Sequence, residues 1–348
     1  MGVRIRLSVA LVLSAILPPR SASADDCAGL TSPCINDDGL WPHAGPAHFV
    51  AVGSTDTVAQ GRLGFGLVTS YLSRPIVLTV ASPGPPGSTE YVVDNQVNGT
   101  FLWSYGVAER LELDLAVPVT FGQSGTGLSP VTGGGGLKDT AIRDLRFGFA
   151  YRIASPSAAN ASEDSRATDG LSLLGRFEVS APSGDHEQFA GERSGVFAPS
   201  VAAEFRLDRL FVGLELGARI RPTTELLGAR VGTQIVAALG AGYDILPREM
   251  LTATLEALAL PGLVEQDDVS AQPGGDSVAV PNGKHIAPAE WMLSARTAPL
   301  RDGDFCIQAG GGGGIPLSGE PAITTPRFRF TLGVRWTPRS QRPDRRSK

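Results

Sequence analysis

The sequence predicts an all-β fold, a closed antiparallel transmembrane β-barrel of about twelve strands with long outer loops and short periplasmic turns. Apolar and polar residues alternate along segments of about ten residues, as in "RFRFTLGVRW" from Arg327 to Trp336. Successive side chains of a strand point to opposite faces, so such a segment has one apolar and one polar face. The connections alternate between long and short, which favours a membrane barrel over a soluble sandwich.

The first residues have the pattern of a secretory signal. Two arginines precede the apolar stretch Leu7–Leu17, and the small residues Ala22-Ser23-Ala24 follow it. This order predicts a signal peptide at residues 1–24, cleaved after Ala24. The alternative, a membrane anchor, is disfavoured because the apolar stretch is too short to span a bilayer as a helix.

The remaining chain divides into three predicted regions. Residues 25–60 contain scattered Pro, Gly, Asn and Asp, and are predicted to be a weakly ordered periplasmic lead-in. Residues 61–337 form the barrel, and residues 338–348 are a basic tail. A formal net charge of −5 gives no basic footprint for nucleic acid.

The barrel strands are predicted in chain order from the period-two alternation. They are Arg62–Tyr71, Gln96–Tyr105, Leu111–Phe121, Ile142–Ile153, Gly170–Ala181, Gly195–Leu207, Leu210–Arg221, Arg230–Tyr243, Met250–Leu260, Ala289–Thr297, Asp304–Ile315 and Arg327–Trp336. A tilted bilayer-spanning strand needs about nine to eleven residues, and these segments are long enough. One connection departs from the pattern, because Ala154–Asp169 is long where a short turn is expected.

Parity along these strands predicts which face meets lipid. A charge facing the bilayer midplane costs about 2–4 kcal/mol, so the charged parity is assigned to the lumen. The predicted lumen-lining residues are Arg62, Glu112, Asp114, Asp144, Arg146, Arg152, Arg176, Glu178, Glu204, Arg206, Glu215, Arg219, Glu256, Arg296, Arg327, Arg329 and Arg335. The aromatic residues predicted for the two interfacial girdles are Tyr71, Trp103, Tyr105, Tyr151, Tyr243, Trp291 and Trp336.

The cysteines and histidines give few signs of chemistry. Cys27 and Cys34 are candidates for a disulfide in an oxidising compartment, with two free thiols as the alternative. His186 lies in "GDHEQF", where a solvated loop is favoured over a metal site. "NDDG", Asn36 to Gly39, lacks the terminal glutamate of a calcium loop, so a turn is favoured. The sequence has no nucleophile elbow, P-loop, C-x-x-C or H-E-x-x-H motif. We therefore expect no catalytic residue, metal or cofactor.

Three stretches resemble a known family. "FEVSAPSGDHEQFAGERSGVFAPSVAAEFRL", "IRDLRFGFAYRI" and the terminal "FRFTLGVRW" resemble strands of the barrel that precedes the periplasmic domain in outer-membrane protein A-like proteins of delta-type Gram-negative bacteria. The resemblance covers roughly Gly61 to Pro338 and implies an outer-membrane location. After Trp336 only "TPRSQRPDRRSK" follows, so we expect no peptidoglycan-binding domain.

These features predict a narrow passive channel for small polar or amphipathic solutes, with outer-membrane lipid as its surroundings and the solute unidentified. Arginines near the C-terminal strands predict a mild anion preference. A closed structural barrel is the alternative, and binding or adhesion through the outer loops is a second. Acids of the long connection, Glu265, Asp267, Asp268 and Asp276, are candidates for closing the pore from outside.

Overall fold

The computed structural model describes Cys27 and residues 31–80, 88–132, 136–156, 169–271, 277–298, 304–317 and 322–338. The predicted signal peptide, and the basic tail after Pro338, lie outside these residues. No α-helix in the described part of the chain is long and apolar enough to cross a membrane.

The described residues are almost entirely β-structure. The strands are β1 (Leu63–Val80), β2 (Ser88–Ala108), β3 (Leu111–Ser124), β4 (Ala141–Ile142), β5 (Arg146–Ala154), β6 (Gly170–Ser180), β7 (Val196–Leu207), β8 (Leu210–Arg219), β9 (Thr224–Leu226), β10 (Ala229–Val231), β11 (Gln234–Leu246), β12 (Leu251–Ala259), β13 (Glu265–Ala271), β14 (Ser277–His285), β15 (Ala289–Thr297), β16 (Phe305–Gly314) and β17 (Phe328–Trp336). One α-helical turn, Ser129–Thr132, and two 3₁₀ helices, His186–Gln188 and Pro247–Glu249, complete the regular structure.

Twelve strands close into an antiparallel barrel. In order around the wall they are β1, β2, β3, β5, β6, β7, β8, β11, β12, β15, β16 and β17. The last strand pairs with the first from Phe65↔Trp336 to Ser73↔Phe328, so no edge is left unpaired. Closure satisfies every strand from both sides, which a bilayer requires. The predicted fold class and strand number are confirmed.

The two ends of the barrel differ in their connections. At one end, here the turn end, residues 109–110 join β2 to β3 and residues 208–209 join β7 to β8. β5 ends and β6 begins at this end too, so the residues that join them leave and re-enter the wall here. At the other end, here the loop end, β1 and β2 continue past the wall as a hairpin, and β9–β10 and β13–β14 form two more hairpins. The sequence predicts connections in these three regions, because they lack a lipid-facing alternation.

The alternation of the sequence reappears as an alternation of exposure. In β17, Phe330 is 47% exposed on the outside of the barrel, whereas Thr331 is 2% exposed on the inside. The same contrast runs round the wall, where the outward side chains are mainly aliphatic or aromatic and the inward ones mainly polar or charged. The barrel therefore has an apolar outer band and a charged inner wall.

Candidate functional site

The interior of the barrel is occupied by residues 31–60, here the lumen segment. Thr31 forms a β-bridge with Leu226 of β9 at the loop end. At the turn end the amide N–H of Ala59 donates to the carbonyl of Pro338 at 3.0 Å. Between these points the segment contacts inward side chains on every side of the wall, and most of its side chains are buried. It thus runs through the whole length of the lumen.

This placement corrects the prediction of a weakly ordered periplasmic lead-in. The segment lacks the hydrophobic period of a strand or helix, so its sequence suggested a solvated coil. Its polar main chain is satisfied instead by charged side chains of the wall, and these partners are remote in sequence. Confinement inside the barrel, rather than local propensity, therefore fixes its conformation.

Glutamates of the wall accept hydrogen bonds from the amides of the lumen segment. The Glu256 carboxylate accepts from the N–H groups of Val50 and Ala51, at 2.9 and 2.7 Å to Oε2, and also from that of Val52 at 3.3 Å. Glu215 accepts from the N–H of Gly53 at 2.6 Å. At the turn end, Glu112 accepts in the same way from Val58. Hydrogen bonds to a charged partner are the stronger kind, so these carboxylates hold residues 50–58 by their main chain.

Arginines of the wall donate to carbonyls of the preceding stretch. The Arg219 guanidinium donates to the carbonyl of Gly39 at 2.9 Å, and that of Arg146 to Pro42 at 3.1 Å. Arg335 donates to the carbonyls of His43 and Gly45, at 2.6 and 3.2 Å. The guanidinium groups of Arg219 and Arg146 also lie over the Trp41 ring, 4.2 and 4.8 Å from its centroid. The wall therefore binds residues 39–45 through hydrogen bonds to their carbonyls.

Two histidines of the lumen segment lie between pairs of wall glutamates. His43 has Nδ1 3.0 Å from Glu178 and Nε2 3.3 Å from Glu215. His48 has Nδ1 2.9 Å from Glu204 and Nε2 3.7 Å from Glu249. An imidazole with a carboxylate at each nitrogen is suited to the doubly protonated, cationic form. The absence of a strand context for these residues had hidden their role from sequence reasoning.

Towards the loop end the charges are reversed, with acids on the segment and arginines on the wall. Asp37 pairs with Arg143 at 2.7 Å, and Asp38 with Arg329 at 2.8 Å. The amides of Gln96 and Asn98 on β2 donate to the same two aspartates, at 2.7 and 2.8 Å. Asp38 and Leu40 donate their N–H groups to the Asn36 and Asp38 side chains, so "NDDG" is ordered by two side-chain hydrogen bonds of the Asx type.

An aromatic anchor fixes the middle of the lumen segment. Phe49 is 2% exposed and lies over Gly213 of β8 and Gly240 of β11, which are paired across the strands. A Cβ atom at either glycine would lie 2.6 Å from the Phe49 ring. The Phe211 ring packs against it at a centroid distance of 5.3 Å. The two glycines thus form a slot for the Phe49 ring, because a larger side chain at either position would collide with it.

Most of the predicted lumen-lining residues do line the filled interior, but three do not. Arg62 and Arg327 are exposed and lie before β1 and β17, at opposite ends of the barrel. Asp144 is buried but binds the N–H groups of Gly184 and Glu192, both at 2.8 Å, and so anchors the β6–β7 loop. Arg152, partly exposed at the turn end, reaches Asp56 of the segment at 3.7 Å. The prediction extended the alternation past the strand ends, where parity no longer fixes direction.

Several wall residues were missed. Arg143 is 3% exposed and points inward although it is three residues from the inward Arg146, because the alternation breaks between β4 and β5. Asp244, Glu249 and Glu290 were also overlooked, although Asp244 and Glu290 lie at inward parity on β11 and β15. Asp244 pairs with Arg206 at 2.7 Å, and Glu290 with Arg329 at 2.6 Å. A strict count of parity through the whole of each strand would have found Asp244 and Glu290.

The described acids of the long connection do not close the pore. Asp268 accepts from Asn282 at 2.8 Å within the β13–β14 hairpin, and Asp267 lies 3.3 Å from Arg230 of β10. Glu265 lies opposite His285 in the register of the same hairpin, and Asp276 lies outside the described residues. Glu265, Asp267 and Asp268 therefore lie at the loop end, and the lumen segment fills the interior instead.

The predicted girdle residues point outward at the two ends of the apolar band. Trp103, Tyr105, Tyr151, Tyr243 and Trp336 lie towards the turn end, and Tyr71 and Trp291 towards the loop end. All except Trp103 are exposed. Phe65 stacks on Trp336 across the closing strand pair, with centroids 6.0 Å apart.

A disulfide joins Cys27 and Cys34 at the loop end of the lumen segment, with a Cα–Cα distance of 5.6 Å. His186 of the β6–β7 loop is nearby, and its ring and the two sulfurs lie within 4.8 Å of one another. Because the sulfurs are bonded to each other, they offer no thiolate pair to a metal. Cys306 is a buried free thiol on the inner wall.

Comparison with known proteins supports the fold. No protein-family model matches the chain, and no curated protein matches it. An outer membrane channel from Pseudomonas putida F1 is similar, with a TM-score of 0.52 and 15% identity over 82% of this chain and 98% of that chain. The KdgM porin aligns with a TM-score of 0.42 and 9% identity over 79% of this chain and 98% of its own. The TodX monoaromatic hydrocarbon channel aligns with a TM-score of 0.41 and 11% identity, over 91% and 99%. At 15% identity, the first likeness shows a shared barrel fold alone.

Proposed function

We propose that this chain is an outer-membrane channel whose lumen is held shut by its own residues 31–60, and that small polar or amphipathic solutes pass when this segment is displaced. One observation carries the proposal: charged wall residues such as Glu256, Glu215 and Arg335 are bound to main-chain groups of the segment. A wall built only to fill itself would pair its charges with one another. Withdrawal of the segment would leave a polar conduit, the kind of lining that selects solutes in channels.

The outer surface supports a bilayer location for the barrel. Its apolar band is bounded by aromatic residues at both ends, as in outer-membrane barrels. Short turns in such barrels are periplasmic, so the turn end is assigned to the periplasm and the loop end to the outside. The predicted signal peptide and the kinship with outer-membrane protein A-like barrels belong to this proposal.

A closed structural barrel is the competing function, and wall-to-wall ion pairs favour it. Arg206 pairs with Asp244 at 2.7 Å, and Arg296 with Glu249 at 3.2 Å. Such pairs fill space as well as neutralise charge. They also neutralise wall arginines, on whose excess the predicted anion preference depends, so we expect weak selectivity between anions and cations.

Conductance measurements on two matched variants decide between these functions. Phe49→Ala empties the glycine slot and leaves every wall charge in place, so the segment should leave the lumen more often. Phe197→Ala removes the same side chain from the outer band, where Phe197 is 50% exposed. In planar bilayers we expect rare, brief openings for the wild type and for Phe197→Ala, and frequent discrete openings for Phe49→Ala.

Liposome swelling with small sugars provides a second readout of the same variants. Faster swelling for Phe49→Ala alone would support a lumen that opens by displacement of the segment. A Phe49→Ala protein that is folded, as judged by heat-dependent migration on gels, yet shows neither conductance nor swelling would leave the structural barrel as the function.

A further inference from the structure

We infer that the inner wall is a binding site for the main chain of bent peptides, and that a short peptide from solution can occupy the place of residues 46–58. The inference rests on the proposed function, because the ligand must reach the lumen. It specifies the ligand class: a peptide that bends so that consecutive N–H groups point to one side, with a histidine and an aromatic residue just before the bend.

Two glutamates of the wall, Glu256 and Glu215, bind main-chain amides of the lumen segment. The Glu256 and Glu215 carboxylates together bind the N–H groups of four successive residues, 50 to 53, at 2.6 to 3.3 Å. Both carboxylates are 2% exposed. An acceptor buried without a donor is costly, so a ligand in this position must supply a comparable row of donors. A main chain bent as at residues 50–52 points successive N–H groups to one side, and so it supplies this row whatever its side chains are.

The basic part of the wall recognises carbonyls in the same way. Arg219, Arg146 and Arg335 together bind four carbonyls between Gly39 and Gly45. The wall thus offers donors to one stretch of main chain and acceptors to the next, along a path of fixed direction. A hydrocarbon solute would leave both sets of buried charges unsatisfied.

Two positions of the path contact side chains. The His48 imidazole lies between Glu204 and Glu249, with Nδ1 2.9 Å from Glu204. The Phe49 ring occupies the slot over Gly213 and Gly240, and Phe211 packs against it. A histidine and an aromatic residue followed by four residues with free amides therefore match the most closely defined part of the wall. Specificity at the other positions is expected to be low, because the wall contacts there are mainly to main-chain atoms.

Binding of a synthetic peptide to the purified full-length Phe49→Ala protein tests the inference. The probe has the sequence of residues 46–58, PAHFVAVGSTDTV, with a fluorophore at its N-terminus, and binding is followed by anisotropy in detergent. A second probe is N-methylated at the positions of Ala51 and Gly53, whose amides make the two shortest of the hydrogen bonds to Glu256 and Glu215. A matched control probe is N-methylated at the positions of Ala47 and Thr55, whose amides make no hydrogen bond within the described part of the chain.

We expect saturable binding of the unmodified and control probes, and binding of the Ala51 and Gly53 methylated probe that is weaker by at least roughly a hundredfold. Phe49→Leu, a smaller change, replaces Phe49→Ala if that protein does not fold. Equal binding of all three probes, or no binding of any, would overturn the inference even if the variant conducts. Selective binding by a protein that never conducts would instead support the peptide site and contradict the channel.

Discussion

At the scale of single residues, the inner wall is held together by charges that have more than one partner. Arg329 is 1% exposed, donates from Nε to Glu290 at 2.6 Å and faces Asp38 of the lumen segment at 2.8 Å. Two acids therefore depend on one arginine in a poorly hydrated interior. Breaking a buried ion pair by removing one partner costs about 3–5 kcal/mol, because the other charge is left uncompensated.

Replacing Arg329 by methionine should lower the stability of the barrel by about 3–5 kcal/mol. The expected readout is a lower temperature for the shift from the folded to the unfolded band on gels. Arg327→Met is the matched control, since Arg327 is two residues away but exposed at the loop end. At such a surface site, a substitution usually changes the free energy of unfolding by no more than about 0.5 kcal/mol. Equal shifts for both variants would show that Arg329 is not the shared partner of two acids.

The sequence predicts that most of these charged side chains point inward, but it predicts none of their partners. Parity placed Arg329 and Glu215 inside, because a lipid-facing charge is too costly. It failed at Arg62 and Arg327, which lie beyond the regular strands, and at Arg143, where the alternation breaks. The partners His43 and Asp38 come from a segment without any period, so no local pattern connected them to the wall.

At the scale of elements, the barrel strands follow from period-two alternation, whereas the lumen segment follows from the shape that the strands enclose. Period-two alternation predicts all twelve wall strands, because each carries an apolar face long enough for a bilayer. It gave residues 31–60 no structure, since Pro, Gly and Asp there disfavour regular elements. Gly213 on β8 and Gly240 on β11 leave the space that the Phe49 ring fills, so the strands determine where this part of the lumen segment lies.

Gly240→Ala should loosen the lumen segment without altering the segment itself. The added methyl group would lie 2.6 Å from the Phe49 ring, so the ring must move out of the slot. We expect more frequent openings in planar bilayers and a stability loss of about 1–3 kcal/mol, the usual cost of overpacking. Gly122→Ala on β3 is the control, because a Cβ atom there meets nothing within 4 Å. Unchanged openings in Gly240→Ala, with the protein folded, would show that the slot does not hold the segment.

At the scale of the whole molecule, the lumen segment reverses the expected position of the N-terminus. An even number of wall strands brings the start of β1 and the end of β17 to the same end, and Ala59 and Pro338 are hydrogen-bonded there. The segment then carries the chain back through the lumen, so that Cys27 and Cys34 lie beside the β6–β7 loop at the other end. If the turn end is periplasmic, Cys27 and Pro338 lie on opposite sides of the membrane.

An epitope placed between Asp26 and Cys27 should therefore be reached by antibody on intact cells, because the adjoining disulfide lies at the loop end. An epitope placed after Lys348 should be reached only after the outer membrane is permeabilised, since Pro338 lies at the turn end. Staining of intact cells through the first epitope alone would place the two termini on opposite sides. The converse, staining of both only after permeabilisation, would mean that the segment does not traverse the lumen in the membrane. In that case the contacts of Glu256 and Arg335 with its main chain would belong to a form of the protein other than the one in the cell.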